Sequence, residues 1–420
     1  MRPVGQYKKI DYTTIAIYAF LVIFGWMNIY AACYDATHSA VFDFTVQHGK
    51  QLIWIGVSAL VAIFLIWAEP RNISNVTYII YGFVIVLLVL TLVIGKVTNG
   101  GQSWIEVGPI RIQPSEFAKF ATALALAKLV SGHDFDIRQK RFWWQMAFLV
   151  GLPAGLILLQ HDVGSALVFL AFIIPLYRFG LTPAVFGIGL AAVTLFILTL
   201  LMSKLWLILI VMAVLLLYLY LWIGRPKLRH YLYVLGILGC CVAFIFSVDF
   251  IFNNILEQHQ QSRVLVLLDP NHDPRGVGYN MTQSKIAIGS GGLFGKGFLN
   301  GTLTTADFVP EQETDFIFCT VGEEWGFVGC SILLLVYMWL LKRLVDMSER
   351  QASTFGKFYG YCVSAILFFH IIVNVGMVVG WMPVIGIPLP FFSYGGSSLL
   401  AFTILLFIFI RQDASSTSLF

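Results

Sequence analysis

Charge is what this sequence lacks. Asp, Glu, Lys and Arg make up 11% of its 420 residues, while 59% are hydrophobic and the mean hydropathy is +0.84; a soluble globular chain carries roughly 25% charge and 45–50% apolar residues. Too few charges are present to cover a water-exposed surface of this size, so a soluble fold is excluded. At about 20 apolar residues per crossing, the chain supplies about twelve membrane helices and leaves no separate soluble domain. A net charge of +4 is too small to point to nucleic acid. Cysteine is sparse as well. Cys33, Cys240, Cys241, Cys319, Cys330 and Cys362 form no CxxC pair and have no His at ligand spacing, so they read as small apolar residues. No fixed-period repeat is present. The opening MRPVGQYKKIDYTT precedes an apolar run with no small-residue cleavage signal behind it, which predicts an uncleaved first helix.

What is present is a series of apolar runs: Tyr12 to Cys33, Leu52 to Ala68, Val76 to Gly95, Phe117 to Val130, Trp144 to Leu159, Val163 to Tyr177, Leu181 to Met202, Leu205 to Ile223, Tyr231 to Phe252, Asp315 to Leu341, Phe358 to Gly380 and Phe391 to Ile410. Pro153 and the polar Gln160-His161-Asp162 shorten the fifth and sixth, which read jointly as re-entrant. Basic loops stay cytoplasmic. With the N-terminus inside, sixteen basic residues fall inside: Arg2, Lys8, Lys9, Arg71, Arg138, Lys140, Arg141, Arg178, Arg225, Lys227, Arg229, Lys342, Arg343, Arg350, Lys357 and Arg411. Nine fall outside: Lys50, Lys96, Arg111, Lys119, Lys204, Arg263, Arg275, Lys285 and Lys296, with Lys128 deeper in the fourth span. An even twelve spans and two cytoplasmic termini follow together.

Two outer segments are longer than a simple connection, Lys96 to Ser115 and Asn253 to Thr314. A structureless loop of the second length is uncommon in a compact chain, and its apolar patches at Val264 to Leu268 and Ile286 to Ile288, with Phe316 to Phe318 just beyond, need burial. Asp269, Asp273, Asp307, Glu311, Glu313 and Asp315 stand there among Arg263, Arg275, Lys285 and Lys296, and eight glycines lie between Gly276 and Gly301. This composition suits a site for an anionic substrate with an acid/base carboxylate, and it also suits a solvated connector. GGLFGKG is not a P-loop: Ser290 stands where its first glycine belongs and Gly297 where its Ser or Thr belongs.

Ionisable groups at membrane depth are functional candidates by default. Glu116 and Lys119 share a helix face at i,i+3 after Pro114; they read either as a structural pair or as two walls of a cavity. Asp162 interrupts a span end, and Trp104 and Arg111 flank the helix entry. Gly, Pro and Ser in NVGMVVGWMPVIGIPLPFFSYGGSSLLAF predict a broken helix.

Three segments carry a resemblance: GQSWIEVGPIRIQPSEFAK; RVLVLLDPNHDPRGVGYNMTQSKIAIGSGGLFGKGFLNGT with DFVPEQETDFIF; and PVIGIPLPFFSYGGSS. On these the chain resembles the SEDS family (shape, elongation, division and sporulation), in its rod-shape branch. The resemblance implies an all-α polytopic domain over residues 1–420, with a ten-helix core, a large extracytoplasmic catalytic loop (253–314) before the tenth span, and here an inserted transmembrane hairpin at 181–223. It implies a peptidoglycan glycosyltransferase of the bacterial cytoplasmic membrane that polymerises lipid II on the outer face with a class B penicillin-binding protein. The family's essential acid matches Asp273, and Asp269 of LLDP is a decoy. The chain departs from the family pattern at Gly380-Trp381-Met382-Pro383, where Gly-Leu-x-Pro is expected, and at Glu313, where a His usually precedes Thr-Asp-Phe.

Under that resemblance Asp273 is the base for the acceptor hydroxyl in an inverting displacement. Lys119, Arg111, Arg263 and Lys285 contact the pyrophosphate, Glu116 partners Lys119, and Trp104, Gln283 and Ser284 are further substrate contacts. No cofactor is required and no carboxylate cluster demands a metal, although a divalent cation is compatible with the leaving diphosphate. The rival reading is a flippase or transporter of the lipid-linked precursor. It expects polar groups at the midplane and two related halves, whereas the candidates cluster outside and no pseudo-repeat is evident.

Overall fold

The computed structural model describes residues 10–34, 42–98, 101–108, 110–133, 135–223, 227–254, 256, 258–269, 273, 276–306 and 308–415. Arg2, Lys8, Lys9, Arg225 and Arg275 of the charge map and Asp307 of the loop acids lie outside the described residues. The elements in chain order are α1 (Tyr12–Ala32), α2 (Gln47–Trp67), α3 (Pro70–Ile94), strands β1 (Lys96–Thr98), β2 (Gly101–Val107) and β3 (Ile110–Ile112), α4 (Pro114–Val130), α5 (Lys140–Leu159), α6 (Val163–Leu167) and α7 (Ile173–Arg178). They continue as α8 (Ala184–Leu201), α9 (Lys204–Tyr218), α10 (Leu228–Asn254), α11 (Gln258–Leu268), α12 (Val277–Ser290), α13 (Thr302–Thr305), α14 (Ile317–Glu349), α15 (Thr354–Val379) and α16 (Gly396–Ser415). Ten of these helices are long and apolar enough to cross a membrane. The shorter α4 and the α6–α7 segment Val163–Arg178 occupy the two remaining predicted runs. This is a multi-pass membrane protein built almost wholly of helices.

The chain forms two compact units, Met1–Gly180 with Val266–Phe420, and Leu181–Leu265. In the first, α16 packs on α2, α3 on α4, and α15 on both α14 and α4. The centre is α4, α15 and α16: the apolar windows of α15 and α16 are 67% and 83% buried, against 22–28% for α2, α3, α5 and α14. Ala118, Ala121, Ala123, Ala125 and Ala127 let neighbouring backbones approach α4, which is how helices associate where lipid removes the hydrophobic drive between them. In the second unit α8, α9 and α10 pack on one another with mostly exposed apolar faces. Lys204 on α9 pairs with Asp249 on α10 at 2.5 Å, and Gln261 ties α11 to the carbonyls of Phe252 and Leu256.

Two expectations change, and one segment gains a structure. The fifth run is not shortened, because α5 continues through Pro153 for twenty residues. Proline leaves the carbonyl four residues earlier without its helical donor, and the Tyr81 hydroxyl of α3 supplies one to Leu149 at 3.1 Å. The Lys96 to Ser115 segment, for which the sequence specified no elements, forms an antiparallel meander in the order β1-β2-β3, with Lys96 opposite Trp104 and Glu106 opposite Arg111. The last helix begins at Gly396, not Phe391, leaving the backbone between α15 and α16 non-helical. Side chains satisfy it: Asn374 donates to the Ile387 carbonyl at 2.8 Å, Tyr337 to Pro390 at 2.7 Å, and Gln51 accepts from Gly395 N–H at 3.2 Å. Irregular backbone within a membrane bundle requires such partners. Phe391 in this segment has φ 64°, a strained conformation for a bulky side chain that costs on the order of 1–3 kcal/mol and gathers at functional sites.

Candidate active site

Pro114 opens α4, and Glu116 lies in its first turn, where the helix dipole favours an acid. One turn on, Lys119 donates to Glu116 Oε1 at 2.6 Å, and both side chains are buried. From α15, His370 brings Nε2 to 3.1 Å from Lys119 Nζ, and from α16 the Phe402 ring stands 5.3 Å from the ammonium. Glu116 Oε2 has no hydrogen-bond partner among the described residues. Burying a charge pair with a carboxylate oxygen unsatisfied is costly. The centre of the bundle therefore holds an arrangement that packing alone would not select.

Side-chain hydrogen bonds tie the start of α4 to its neighbours, whereas Thr122 Oγ1, one turn beyond Lys119, has no partner among the described residues. Asp162 caps α6 through Ser165 N–H at 3.0 Å and accepts from Gln113 at 3.0 Å and Ser115 at 3.2 Å. Ser397 donates to the Arg111 carbonyl and accepts from Gln113 N–H, both at 3.2 Å, so the meander and α4 are tied to the start of α16. Arg111 is 60% exposed and pairs with Glu106 at 2.8 Å, and Lys96 reaches the same carboxylate at 3.0 Å. The Lys96 hydrogen bond first, and then the charges of Lys96 and Arg111, hold the Glu106 carboxyl below the usual range. Exposed pairs of this kind are worth little, so Arg111 is available to an anion at small cost. Trp104 is half-buried.

Three loop candidates, Gln283, Ser284 and Lys285, lie on α12, which packs on α14 and α15. Asp273 precedes it and its carboxylate accepts from Gly276 N–H at 3.0 Å and Val277 N–H at 3.1 Å. A methyl group on Gly276 would overlap that carboxylate, which explains the glycine three residues after the acid. Gln283 is half-buried; Ser284 is fully buried and donates to the Val378 carbonyl at 3.1 Å, seating α12 on the end of α15. The Lys285 ammonium lies against Gly380, the C-cap of α15. Asp269 is exposed. Arg263 is on α11 in the second unit, half-buried. Among the described residues no hydrogen bond or ion pair joins Asp273 to Glu116 or Lys119.

GGLFGKG has a structural task. Gly326 (φ 66°) breaks α14, so the amides of Phe327 and Val328 cannot reach the carbonyls four residues back. They donate instead to Gly292 and Leu293 at 2.9 and 3.1 Å, while the freed carbonyls of Glu323 and Glu324 accept from Lys296 and Gly297 N–H at 3.0 Å. The Glu323 side chain, fully buried, accepts from Lys296 Nζ at 2.7 Å and from the amides of Leu303 and Thr304 at 2.9 and 2.8 Å. Two residues escaped the sequence reading, Glu323 and His370. Adjacent acids inside a predicted span signalled the first; nothing local signalled the second.

Fold and buried pair together define a polytopic membrane protein with ionisable groups enclosed among its helices. The family model described as Cell cycle protein, covering FtsW, RodA and SpoVE, matches residues 12–214 and 184–418, so that 184–214 is matched by both segments. The chain belongs to this family. It is 34% identical to the peptidoglycan glycosyltransferase MrdB of Escherichia coli strain K12, over 82% of this chain and 80% of that one. It is 31% identical to the peptidoglycan glycosyltransferase RodA of Treponema pallidum strain Nichols, over 93% and 94%. Among solved structures, a chain of a peptidoglycan synthase complex that coordinates polymerization and crosslinking superposes with TM-score 0.70 at 28% identity, covering 96% of this chain and 98% of that one. The rod shape determining protein RodA of Thermus thermophilus, solved also as an aspartate-to-alanine mutant, gives 0.61 at 26% identity, covering 96% of this chain and 97% of that one in its wild-type form.

Proposed function

We propose that the protein is an inverting peptidoglycan glycosyltransferase that polymerises lipid II into glycan strands for cell elongation and rod shape. The observation that carries this reading is the buried Glu116–Lys119 pair: a lysine ammonium enclosed among the helices, with one N–H left beyond Glu116 and His370, suits a lipid-linked diphosphate. The names of the relatives and the family membership support it.

The donor sugar is α-linked to its diphosphate and the polymer is β-linked, so a single displacement suffices. Asp273 takes the acceptor hydroxyl proton as that oxygen bonds to the anomeric carbon, and the bond to the diphosphate breaks with its electron pair leaving on phosphate. A carboxylate offers about four acceptor positions; Gly276 and Val277 occupy two, which orients Asp273 and leaves lone pairs for the hydroxyl. Lys119, Lys285 and Arg111 neutralise the leaving diphosphate. Trp104 and Gln283 contact the substrate, and Ser284 acts through the seat of α12. The reaction requires no cofactor, and a divalent cation is an optional aid to departure.

In this reading the protein sits in the bacterial inner membrane with both termini cytoplasmic and Asp273 on the outer face. Its partner is a class B penicillin-binding protein, a reading supported by the synthase complex among its structural neighbours. Leu181 to Ile223 is an inserted hairpin, which the doubly matched 184–214 supports. The test is incubation of purified protein with labelled lipid II, with and without the partner. Long glycan chains are expected. Lipid movement across vesicles without glycan synthesis overturns the reading in favour of a flippase.

A further inference from the structure

We infer that His370 is a positioning residue for the Lys119 ammonium, and that the non-helical segment between α15 and α16 sets the tautomer in which it does so. The inference rests on the reading of Lys119 as a diphosphate contact. His370 is fully buried. Its Nδ1 lies 3.1 Å from the Pro388 carbonyl, and a carbonyl oxygen only accepts, so Nδ1 carries the proton. Nε2 then presents a lone pair, and the group facing it at 3.1 Å is Lys119 Nζ, which only donates. The two contacts agree on one neutral imidazole.

Lys119 is thereby held on two sides, by Glu116 Oε1 at 2.6 Å and by His370 Nε2, with the Phe402 ring close to both: its centroid is 5.3 Å from the ammonium and 4.8 Å from the imidazole, which it meets edge-on. An ammonium has three N–H donors. Two are directed to protein acceptors, and the third is left for a ligand oxygen. Without His370 the flexible lysine stem can turn its ammonium wholly onto Glu116, closing the open carboxylate oxygen and withdrawing the cation from the substrate. The strained Phe391 belongs to the same segment as Pro388, and its ring packs on Phe402. A strained segment thus aims the carbonyl that aims the histidine.

The two jobs of the ring are separable by substitution. Asn reproduces the reach of Nδ1 and keeps the Pro388 contact, whereas Gln reproduces the reach of Nε2 and keeps an acceptor for Lys119. Steady-state lipid II polymerisation by the purified full-length protein with its partner is measured for His370→Asn and His370→Gln, each also combined with Lys119→Met. His370→Asn should lower kcat/KM by roughly 10- to 100-fold, the size of a lost hydrogen bond to a charged group, with KM and kcat both affected. His370→Gln should retain most activity. In the Lys119→Met protein neither change should cost anything further.

The proposal is overturned if Asn is active and Gln impaired, if neither matters, or if His370→Asn costs as much without Lys119 as with it. It is overturned too if both histidine variants fail to elute as folded protein while Lys119→Met does, because a residue that acts only through Lys119 is not needed to fold. A wild-type protein inert toward lipid II refutes the polymerase reading instead, a result distinct from an active enzyme indifferent to His370.

Discussion

Asp273 has two duties that pull its substitutions in different directions. As the proposed base, it must accept a proton; as the acceptor for Gly276 and Val277 N–H, it holds the chain entering α12. Asp273→Asn removes the first and half of the second, because an amide nitrogen cannot accept from a backbone N–H. Polymerisation should fall 10²- to 10⁴-fold, the usual loss with a general base, while stability falls by about 0.5–1.5 kcal/mol, the net worth of one hydrogen bond. Thermal unfolding of the same preparation separates the two losses. Asp269→Asn, at an exposed position, should keep substantial activity. If Lys119 and Lys285 contact the diphosphate as proposed, Lys119→Ala and Lys285→Ala should raise KM and lower kcat together, since a cation would hold the diphosphate before and during departure. An active Asp273→Asn with a dead Asp269→Asn would move the base to Asp269.

The helix α14 works only in company. Its break at Gly326 is repaired by the 291–297 loop, and Glu323 locks that loop through Lys296, Leu303 and Thr304. Glu323→Ala should therefore cost about 3 kcal/mol, the low end for breaking a buried pair, because Lys296 can turn toward solvent once released. The measurement is thermal unfolding in detergent. A second tie joins three helix ends. Buried Asp11 caps α1 and accepts from Arg343 Nη2 at 2.9 Å, while Arg350 bridges to Asp413 at 2.5 Å. Burial alone would raise the Asp11 carboxyl, but the Thr14 amide and the Arg343 and Arg350 guanidiniums outweigh it and the net shift is downward. A lowered folded-state pKa means that the stabilisation is complete above about pH 4, the unfolded aspartate value, and is lost as pH falls through the folded value. Asp11→Asn should be destabilised at pH 7, with the gap to wild type narrowing below pH 4 in melting curves; a gap independent of pH would refute the charge account.

Sidedness and partnership belong to the assembled protein. If the basic loops are cytoplasmic, Ser203→Cys, between α8 and α9, is labelled by a membrane-impermeant thiol reagent from outside, and Lys227→Cys, before α10, only from inside. Opposite labelling would reverse the map and place Asp273 in the cytoplasm, away from the reaction proposed for it. The penicillin-binding partner should engage exposed apolar helix faces by close packing in the membrane rather than by charge. Co-purification should then survive high salt and be lost when the partner's membrane helix is exchanged; loss in salt alone would refute it.

The membrane class and the irregular backbone before the last helix were legible in the sequence, because each is written in local hydrophobicity or in Gly and Pro spacing. The pairing of Glu116 with Lys119 was legible too, since i,i+3 spacing on a helix is a local relation. Asp273 and the rest of the 253–314 loop were marked by motif, not by any property of isolated residues. Tertiary structure decided what depends on distant neighbours. Pro153 does not end α5 because Tyr81, seventy-two residues earlier in the chain, supplies the missing donor. GGLFGKG points its amides at helix carbonyls and not at phosphate because Gly326 opened them. His370 lies 251 residues from Lys119, so no local pattern could reveal that one receives a hydrogen bond from the other; only the packing of α15 against α4 brings the lone pair to the ammonium.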